Sequence, residues 1–491
     1  MLSALFLLTV CVFGQDDALA AKAQEAKALM SSGRFEASIP LYRDLVKAVP
    51  GNPGLLLNLA LAQHMAGRER EAIPNFELVL KSMPTAMPAL MSLGAARLAV
   101  GEPGLAVAPL RKALTVEPEN IDARGMLATA LMESRHFQEA AAEYRTLTDK
   151  TPDDARAWYG LGTAYQALAT DAFEQMQKLD TKSAWVAALV GDSRGQRGQF
   201  RSAFFFYNEA LKALPKLHGL HAAMAEIYRK TGHAEWAALE DLKERELAAA
   251  DCGAHPLQCR VVGGKDLDVL AAPARGLEAF YWRTKAANAL AMQAFFRLGQ
   301  LPESVELHQL RAEIARDLGR PREAVEEWRA ALQLVPGDLR ARQELAISLF
   351  MANDYKAAFE EATALLAVAP SAELNFIAGD CLLRLEEAGK AEPYLRAALK
   401  ADAKMAAAGA SLGLALSRLG RFGEAVPWLE KALVLDDDGS LHYQLARAYQ
   451  AAGLAAKARV AMGKYQELLE RNQKAKEEVA REAQIAAPGA K

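Results

Sequence analysis

Two stretches of the sequence decide the fold: WYGLGTAY at residues 158–165 and SAFFFYNEALKALP at residues 202–215. Along the rest of the chain, small residues and prolines recur every 34 positions. The series includes Gly33, Gly67 and Gly101, then Ala72, Ala106 and Ala140, then Pro50, Pro84, Pro118 and Pro152. A fixed period of this length is typical of a repeat protein, in which each helical unit stacks on the next.

This pattern resembles the tetratricopeptide repeat (TPR). The matching positions are Trp158, Leu161, Gly162 and Tyr165 in the first half of a repeat, and Ala203, Tyr207, Ala210, Leu211 and Pro215 in the second half. In such a unit two helices, A and B, cross where small side chains let their backbones approach, and proline ends helix B. The resemblance implies an all-α fold, a right-handed α-α superhelical solenoid of about 12 TPR-type helix pairs.

The repeat pattern predicts two helical arrays with an interruption between them. We expect a signal peptide at residues 1–14, a first array at 19–251 with a shortened unit at 155–183, a loop insert at 252–276, a second array at 277–470, and a charged C-terminal helix and tail at 471–491. The charged helix suits a cap, because an end repeat has no neighbour to cover it. Residues 486–491 are expected to fray.

The shortened unit has a counterpart later in the chain. The sequence AWYGLGTAYQALATDAFEQM and the sequence AFYWRTKAANALAMQAFFRL align Leu168 with Leu290 and Phe173 with Phe295, 122 residues apart. We interpret the two as copies of one irregular module that alters the superhelix locally. Chance similarity between alanine-rich helices is the alternative.

The sequence begins with an uncharged apolar run, LSALFLLTVCVF at residues 2–13. The run is shorter than the ~20 helical residues that cross a bilayer, and it is typical of a signal peptide. We expect cleavage after Gly14 and export to the periplasm or beyond; a mis-assigned start or an uncleaved anchor is the alternative. Val10 stands where a lipoprotein signal needs a small residue, which disfavours lipid anchoring. No later apolar stretch is long enough to span a membrane.

The remaining cysteines suggest one covalent link. Cys252 and Cys259 flank the loop sequence GAHPLQ, and in an oxidising compartment we expect them to form a disulfide. Two free thiols are one alternative. A metal site built from Cys252, His255 and Cys259 is another, although a fourth ligand is not apparent. Cys381 is interpreted as a small buried apolar residue of a helix.

Composition and motifs argue against nucleic-acid binding and catalysis. The 58 Lys and Arg residues nearly balance the 61 Asp and Glu residues, for a net charge of −3, and no basic patch stands out. The sequence has no HExxH, CxxC or Walker phosphate-binding motif. His218 and His221 are interpreted as a solvated helix face instead of a metal site. We therefore expect no enzyme activity, no cofactor and no nucleic-acid partner.

Function is then expected to reside in a surface. The resemblance implies that helix A of each unit lines a concave groove. The candidate partner-binding residues at the inward positions are Leu57, Leu61, His64, Met65, Met91, Met132, Arg229, Lys230, Arg316, Phe350, Phe376, Arg384 and Tyr443. Methionine is adaptable and suits a groove that accepts a peptide segment, but ordinary packing between repeats is an equal alternative for these apolar residues.

We expect a non-catalytic scaffold that binds a protein or peptide partner along this groove in the cell envelope. The first rival is a self-associating structural component of an envelope assembly. The second is an enzyme or metal protein that uses the loop between Cys252 and Cys259.

Overall fold

The computed structural model describes residues 4–247, 252–482 and 484–488, and it describes side chains for residues 18–247, 252–477 and 484–488. Within these ranges every regular element is a helix and no strand occurs. The all-α class predicted from the sequence is therefore confirmed. The predicted signal segment lies where no side chain is described.

The first part of the chain forms four consecutive pairs of helix A and helix B, followed by one long helix. The pairs are α1 (Ala4–Ser31) with α2 (Phe35–Ala48), α3 (Pro53–Met65) with α4 (Glu69–Ser82), α5 (Met87–Ala99) with α6 (Pro103–Val116), and α7 (Ile121–Glu133) with α8 (Phe137–Lys150). The long helix is α9 (Ala155–Leu179). The shortened unit expected at 155–183 is thus a single helix without a helix B of its own.

The middle of the chain adds two pairs, two short helices and a second long helix. These are α10 (Ala184–Gln196) with α11 (Phe200–Ala213), α12 (Leu220–Lys230) with α13 (Ala234–Glu246), α14 (Pro256–Val262), α15 (Asp266–Ala271) and α16 (Leu277–Leu298). The interval 252–276, expected as a loop, contains α14 and α15. Its glycines and Pro273 fall between and around these short helices, and Pro256 begins α14.

Five further pairs follow α16. They are α17 (Val305–Asp317) with α18 (Pro321–Leu334), α19 (Leu339–Met351) with α20 (Tyr355–Leu366), α21 (Ala372–Arg384) with α22 (Ala388–Ala401), α23 (Ala406–Arg418) with α24 (Phe422–Ala432), and α25 (Ser440–Ala451) with α26 (Ala455–Glu482). The described residues therefore hold four, two and five pairs, eleven in all, plus the unpaired long helices α9 and α16. The last helix of the repeats and the expected charged cap are one continuous helix, α26.

The chain packs into two compact units, each built from separate stretches. Unit 1 comprises residues 1–172, 260–273 and 282–301, and unit 2 comprises residues 173–259, 274–281 and 302–491. These units differ from the consecutive arrays expected at 19–251 and 277–470. The border falls inside both α9 and α16.

Within unit 1, the two irregular modules pack against each other. The rings of Tyr159 on α9 and Phe295 on α16 have centroids 6.4 Å apart. Farther along, Thr284 Oγ1 lies 3.5 Å from the carbonyl oxygen of Ala169. Contacts run forward on one helix and backward on the other, so the helices are antiparallel. In unit 1, α9 takes α16 as its partner.

Each ordinary pair is held by a crossing between a small residue and a large one. Ala140 and Ala203, expected at such crossings, are fully buried, which confirms their predicted position. On helix A, a Cβ atom added at Gly379 would lie 2.7 Å from Cγ and 3.2 Å from the backbone nitrogen of Leu395 on helix B. The backbones approach so closely that these positions accept no larger residue.

The turn between helix A and helix B requires a left-handed backbone conformation. Gly67 adopts it with φ of 75°, and Arg135, two periods later, adopts it with φ of 63°. A residue with a Cβ atom is strained in this region, which accounts for the glycine that recurs every 34 residues. The turn to the next unit ends in a cap: Asn52 accepts hydrogen bonds from the backbone of Gly54 and Leu55 at the start of α3.

We predict that Gly379→Ala lowers the free energy of unfolding by about 1–3 kcal/mol, because the added methyl group collides with Leu395. The matched control is Gly125→Ala on α7, where an added Cβ meets nothing within 4 Å. This control should raise the free energy of unfolding by about 0.5–1 kcal/mol, since alanine favours the helix. Urea unfolding of both variants is the measurement. Equal effects in the two variants would contradict the crossing geometry.

Candidate partner-binding surfaces

The apolar candidates of unit 1 lie on three successive A helices. Leu57, Leu61 and Met65 are on α3, Met91 is on α5 and Met132 is on α7, and α5 packs against both neighbours. Leu57 and Leu61 are half-buried against the core of α3, α4 and α5. Met65 keeps 53% of its surface exposed, whereas Met91 and Met132 are half-buried. One face therefore combines internal packing with free apolar surface.

His64 on the same face is engaged within its own repeat. Its Nδ1 lies 2.6 Å from Oε2 of Glu69 on α4. Its ring meets the buried ring of Phe76 edge-on, with centroids 6.2 Å apart. These contacts hold the imidazole between α3 and α4, so His64 is part of the packing within its own repeat.

In unit 2, several candidates connect one A helix to the next. Arg316 on α17 contacts Glu344 on α19, with Nη1 and Oε2 2.8 Å apart. Phe350 on α19 meets Phe376 on α21 edge-on at 6.3 Å between ring centroids. Both aromatic rings also pack against the buried core of these repeats. The predicted inward face thus holds successive repeats together through its own side chains.

A buried carboxylate extends this series of contacts to α23. Asp380 is nearly fully buried and accepts a hydrogen bond of 2.6 Å from Ser411 Oγ on α23. Arg384, a candidate residue, donates its Nε to the same carboxylate over 3.2 Å. Arg418 on α23 donates to the carbonyl oxygen of Leu383 over 2.6 Å. Removing one member would leave a buried polar group without its partner, which costs about 1–3 kcal/mol.

Arg229 and Lys230 lie exposed at the end of α12. Arg229 bonds Glu226 over 3.0 Å and Asp241 on α13 over 2.8 Å, and Lys230 lies 3.7 Å from Glu226. Exposed ion pairs of this kind contribute at most about 1 kcal/mol to stability. Their charges are balanced locally by acidic neighbours.

A cavity of about 530 Å³ lies between the A helices α23 and α25. Its lining includes Leu414, Ser417, Arg418, Phe422, Gln444, Arg447, Ala448, Gln450 and Ala451. The guanidinium of Arg447 lies 6.0 Å from the ring centre of the candidate Tyr443, one turn earlier on α25. Arg418 and Arg447 were not singled out from the sequence. Arg447 follows Tyr443 by four residues on the same helix, and this helical spacing is the signal that could have identified it.

A second, larger and more apolar cavity of about 920 Å³ lies between α11 and α26 in unit 2. Three phenylalanines of α11 line one side, and Asn472, Ala475 and Lys476 line the other. The phenylalanines are Phe200, Phe205 and Phe206. Two of them belong to the run of three phenylalanines in the repeat itself, but nothing in the sequence indicated that α26 would lie opposite.

In the insert, the structure links Cys252 to Cys259 by a disulfide. His255, between them in sequence, places Nδ1 2.8 Å from Oε1 of Glu278. Among the described residues, no group of three His, Cys, Asp or Glu side chains is placed to hold a metal ion. His218 and His221 each face a carboxylate of α13, with His221 Nδ1 2.5 Å from Glu240 and His218 Nδ1 3.5 Å from Glu244.

No helix in the described part of the chain combines the length and apolar character that crossing a membrane requires.

Cys381 is free and fully buried, as predicted for an apolar position. Burial, reinforced by the neighbouring Asp380, raises the pKa of its thiol to about 12.

The described helices pack consecutively in pairs, as in a solenoid of repeats. Tetratricopeptide repeat profiles match residues 97–164 and, for a second profile of the same description, residues 24–86, 310–373, 344–406 and 378–440. The matched intervals together cover more than half of the chain. The chain belongs to the tetratricopeptide repeat proteins, whose fold serves as a scaffold for protein interactions.

Solved structures similar to part of this chain include MamA proteins. MamA from Desulfovibrio magneticus RS-1 is 23% identical over 34% of this chain and 96% of its own, with a TM-score of 0.32. A second MamA structure is 20% identical over 35% of this chain and 94% of its own, with a TM-score of 0.31. The comparison with curated proteins finds no match.

We predict that Cys381 resists alkylation in native protein made in an oxidising compartment, because its thiol is buried and protonated. After denaturation without reductant, iodoacetamide should modify Cys381 alone, and after reduction it should modify Cys252 and Cys259 as well. Peptide mass spectrometry measures all three sites. Labelling of Cys252 or Cys259 before reduction would contradict the disulfide.

Proposed function

We propose that this protein is a non-catalytic scaffold that binds a segment of a protein partner along the A-helix face of its repeats. One observation carries the proposal: Met65 on α3 leaves 53% of its surface exposed, and α5 packs against both α3 and α7. Met91 on α5 and Met132 on α7 are half-buried. Flexible methionine side chains adapt to the shape of a bound segment.

The unit 2 face supports the same function with different chemistry. Arg316 and the rings of Phe350 and Phe376 bond or pack between neighbouring repeats, and Arg384 bonds Asp380 on its own helix. The surface they leave for a partner is the cavity between α23 and α25, beside Tyr443. Two guanidinium groups in its lining favour an acidic or carbonyl-rich segment, because arginine donates in a planar fork.

We place this scaffold in the cell envelope. The apolar segment at residues 2–13 supports export, because its length fits a signal-peptide core. The disulfide between Cys252 and Cys259 is the second support, since such bonds persist outside the reducing cytosol.

We predict that Met65→Ala combined with Met91→Ala weakens binding of the natural partner by about 1 kcal/mol, or roughly fivefold in Kd, because contacts near the centre of an interface carry most of its energy. Quantitative mass spectrometry of proteins captured from envelope extract identifies the partner, and calorimetry with the purified partner gives the Kd.

The control for this prediction is Leu78→Ala. Leu78 leaves 49% of its surface exposed, a fraction similar to that of Met65. It lies on α4, the B helix of the same pair. It should leave the Kd unchanged. If the double variant lowers the melting temperature but leaves the Kd unchanged, these methionines only pack between repeats and the proposed surface is wrong for unit 1.

We also predict that the protein isolated from its native cells begins at Gln15, because Gly14 precedes the expected cleavage site. N-terminal sequencing of the protein from the envelope fraction measures this. Recovery from the cytosolic fraction with residues 1–14 intact would contradict export while leaving the scaffold function untouched.

A further inference from the structure

In unit 2, the segment at residues 484–488, QIAAP, lies against helices α11, α12 and α13. The hydroxyl of Tyr228 on α12 donates a hydrogen bond of 2.7 Å to the carbonyl oxygen of Ala486, 258 residues later in the chain. Gln484, Ala486, Ala487 and Pro488 line a cavity of about 650 Å³ together with these helices. The sequence predicts that residues 486–491 fray; the structure places 486–488 against these helices, and residues 489–491 lie outside the described part.

Buried apolar side chains around Tyr228 form the floor beneath this segment. Tyr228 is 1% exposed, and its ring meets Phe204 and Trp236 edge-on, at 5.8 and 5.6 Å between centroids. Met224, also buried, lies in the same cavity. The surrounding rings fix the tyrosine so that its hydroxyl points at the backbone of the bound segment. A donor aimed at a carbonyl recognises an extended main chain and tolerates different side chains.

The charged groups around this floor are already paired with one another. Glu240, 3% exposed, accepts bonds from His221 over 2.5 Å and from Lys243 over 2.6 Å. Burial by itself would raise the pKa of Glu240, but these two bonds outweigh it and hold the pKa below its usual value. Glu209 pairs with Lys212 at the other side. The site therefore suits an uncharged segment such as QIAAP, which brings no charge into it.

The site also has room beyond the segment. The apolar cavity between α11 and α26 shares Phe205 with the cavity that the segment lines. An incoming peptide that displaced residues 484–488 would find further apolar surface at Phe200 and Phe206. Burying that apolar surface would favour binding.

We propose that residues 484–488 are an internal ligand of a peptide site on α11, α12 and α13, and that an extended, uncharged partner segment with small residues binds there by displacing them. Besides the A helix α12, this site uses the B helices α11 and α13, whereas the proposed function rests on α3, α5 and α7 and on the cavity between α23 and α25. Its failure would leave that function intact.

The test measures binding of a fluorescent peptide with the sequence AQIAAPG, residues 483–489, to full-length protein by anisotropy. The release variant Ala486→Asp with Ala487→Asp brings two charges to the site and should free it. We expect it to bind the peptide on the order of tenfold more tightly than the unchanged protein, because a tethered segment competes at an effective concentration in the millimolar range.

Two controls separate recognition from general destabilisation. Adding Tyr228→Phe to the release variant removes only the hydroxyl and should weaken peptide binding severalfold. Adding Tyr207→Phe instead removes the hydrogen bond of 2.8 Å that Tyr207 on α11 donates to Asp192 on α10. This change should leave peptide binding unchanged. A peptide with aspartate at both alanine positions should not bind. The proposal is overturned if the folded release variant fails to bind AQIAAPG, or if both tyrosine variants bind it equally.

A second measurement needs no change in the segment. Thermolysin cleaves before Ile485, so docking should slow this cleavage in the unchanged full-length protein. We expect cleavage to be severalfold faster in Tyr228→Phe than in the unchanged protein or in Tyr207→Phe, read as loss of the last residues by intact-mass spectrometry. Equal rates in all three proteins would overturn the docking.

Discussion

The structure depends on one steric constraint, the close crossing of helix A and helix B within each pair. At Gly379 the backbone of α21 lies so near Leu395 that an added Cβ would overlap its side chain, and Gly413 and Leu429 repeat the same arrangement in the next pair. The fully buried alanines of the B helices serve the same crossing from the other side. Since the crossing fixes which faces turn inward, it also decides which residues remain for contact with other molecules.

The side chains that the A helices leave outside these crossings differ between the two units. In unit 1 the A-helix face ends in flexible apolar side chains, of which Met65 is the most exposed candidate. In unit 2 the corresponding positions carry Arg316, Asp380 and Arg384. Arg316 and Asp380 bond across successive A helices, and Arg384 bonds Asp380 within α21. The same pattern position therefore leaves exposed apolar surface in one unit and holds successive repeats together in the other.

The sequence was sufficient for the features that depend on local period. It predicted the all-α fold, the family and the buried positions of Ala140 and Ala203, because each follows from spacing within one repeat. It also revealed the similarity between the segments around Leu168 and Leu290, but not that they pack together, since nothing local says which helix an unpartnered helix will meet. The cavity between α11 and α26 could not be predicted from the sequence for the same reason. The short helices α14 and α15 were not predicted, because segments of seven and six residues are too short to show a helical period of apolar residues.

Contacts between distant parts of the chain change how each unit responds to stress. In a simple solenoid each repeat touches only its neighbours, so its ends open independently of its middle. Unit 1 departs from this rule where Thr284 meets Ala169 across 115 residues of sequence, and unit 2 departs from it where Tyr228 bonds Ala486 across 258 residues. A contact of the second kind ties the last described segment to an early repeat of its unit. Opening that segment therefore exposes the floor around Tyr228 while every helix crossing stays intact, so the site on α11 to α13 opens without the unfolding of a repeat.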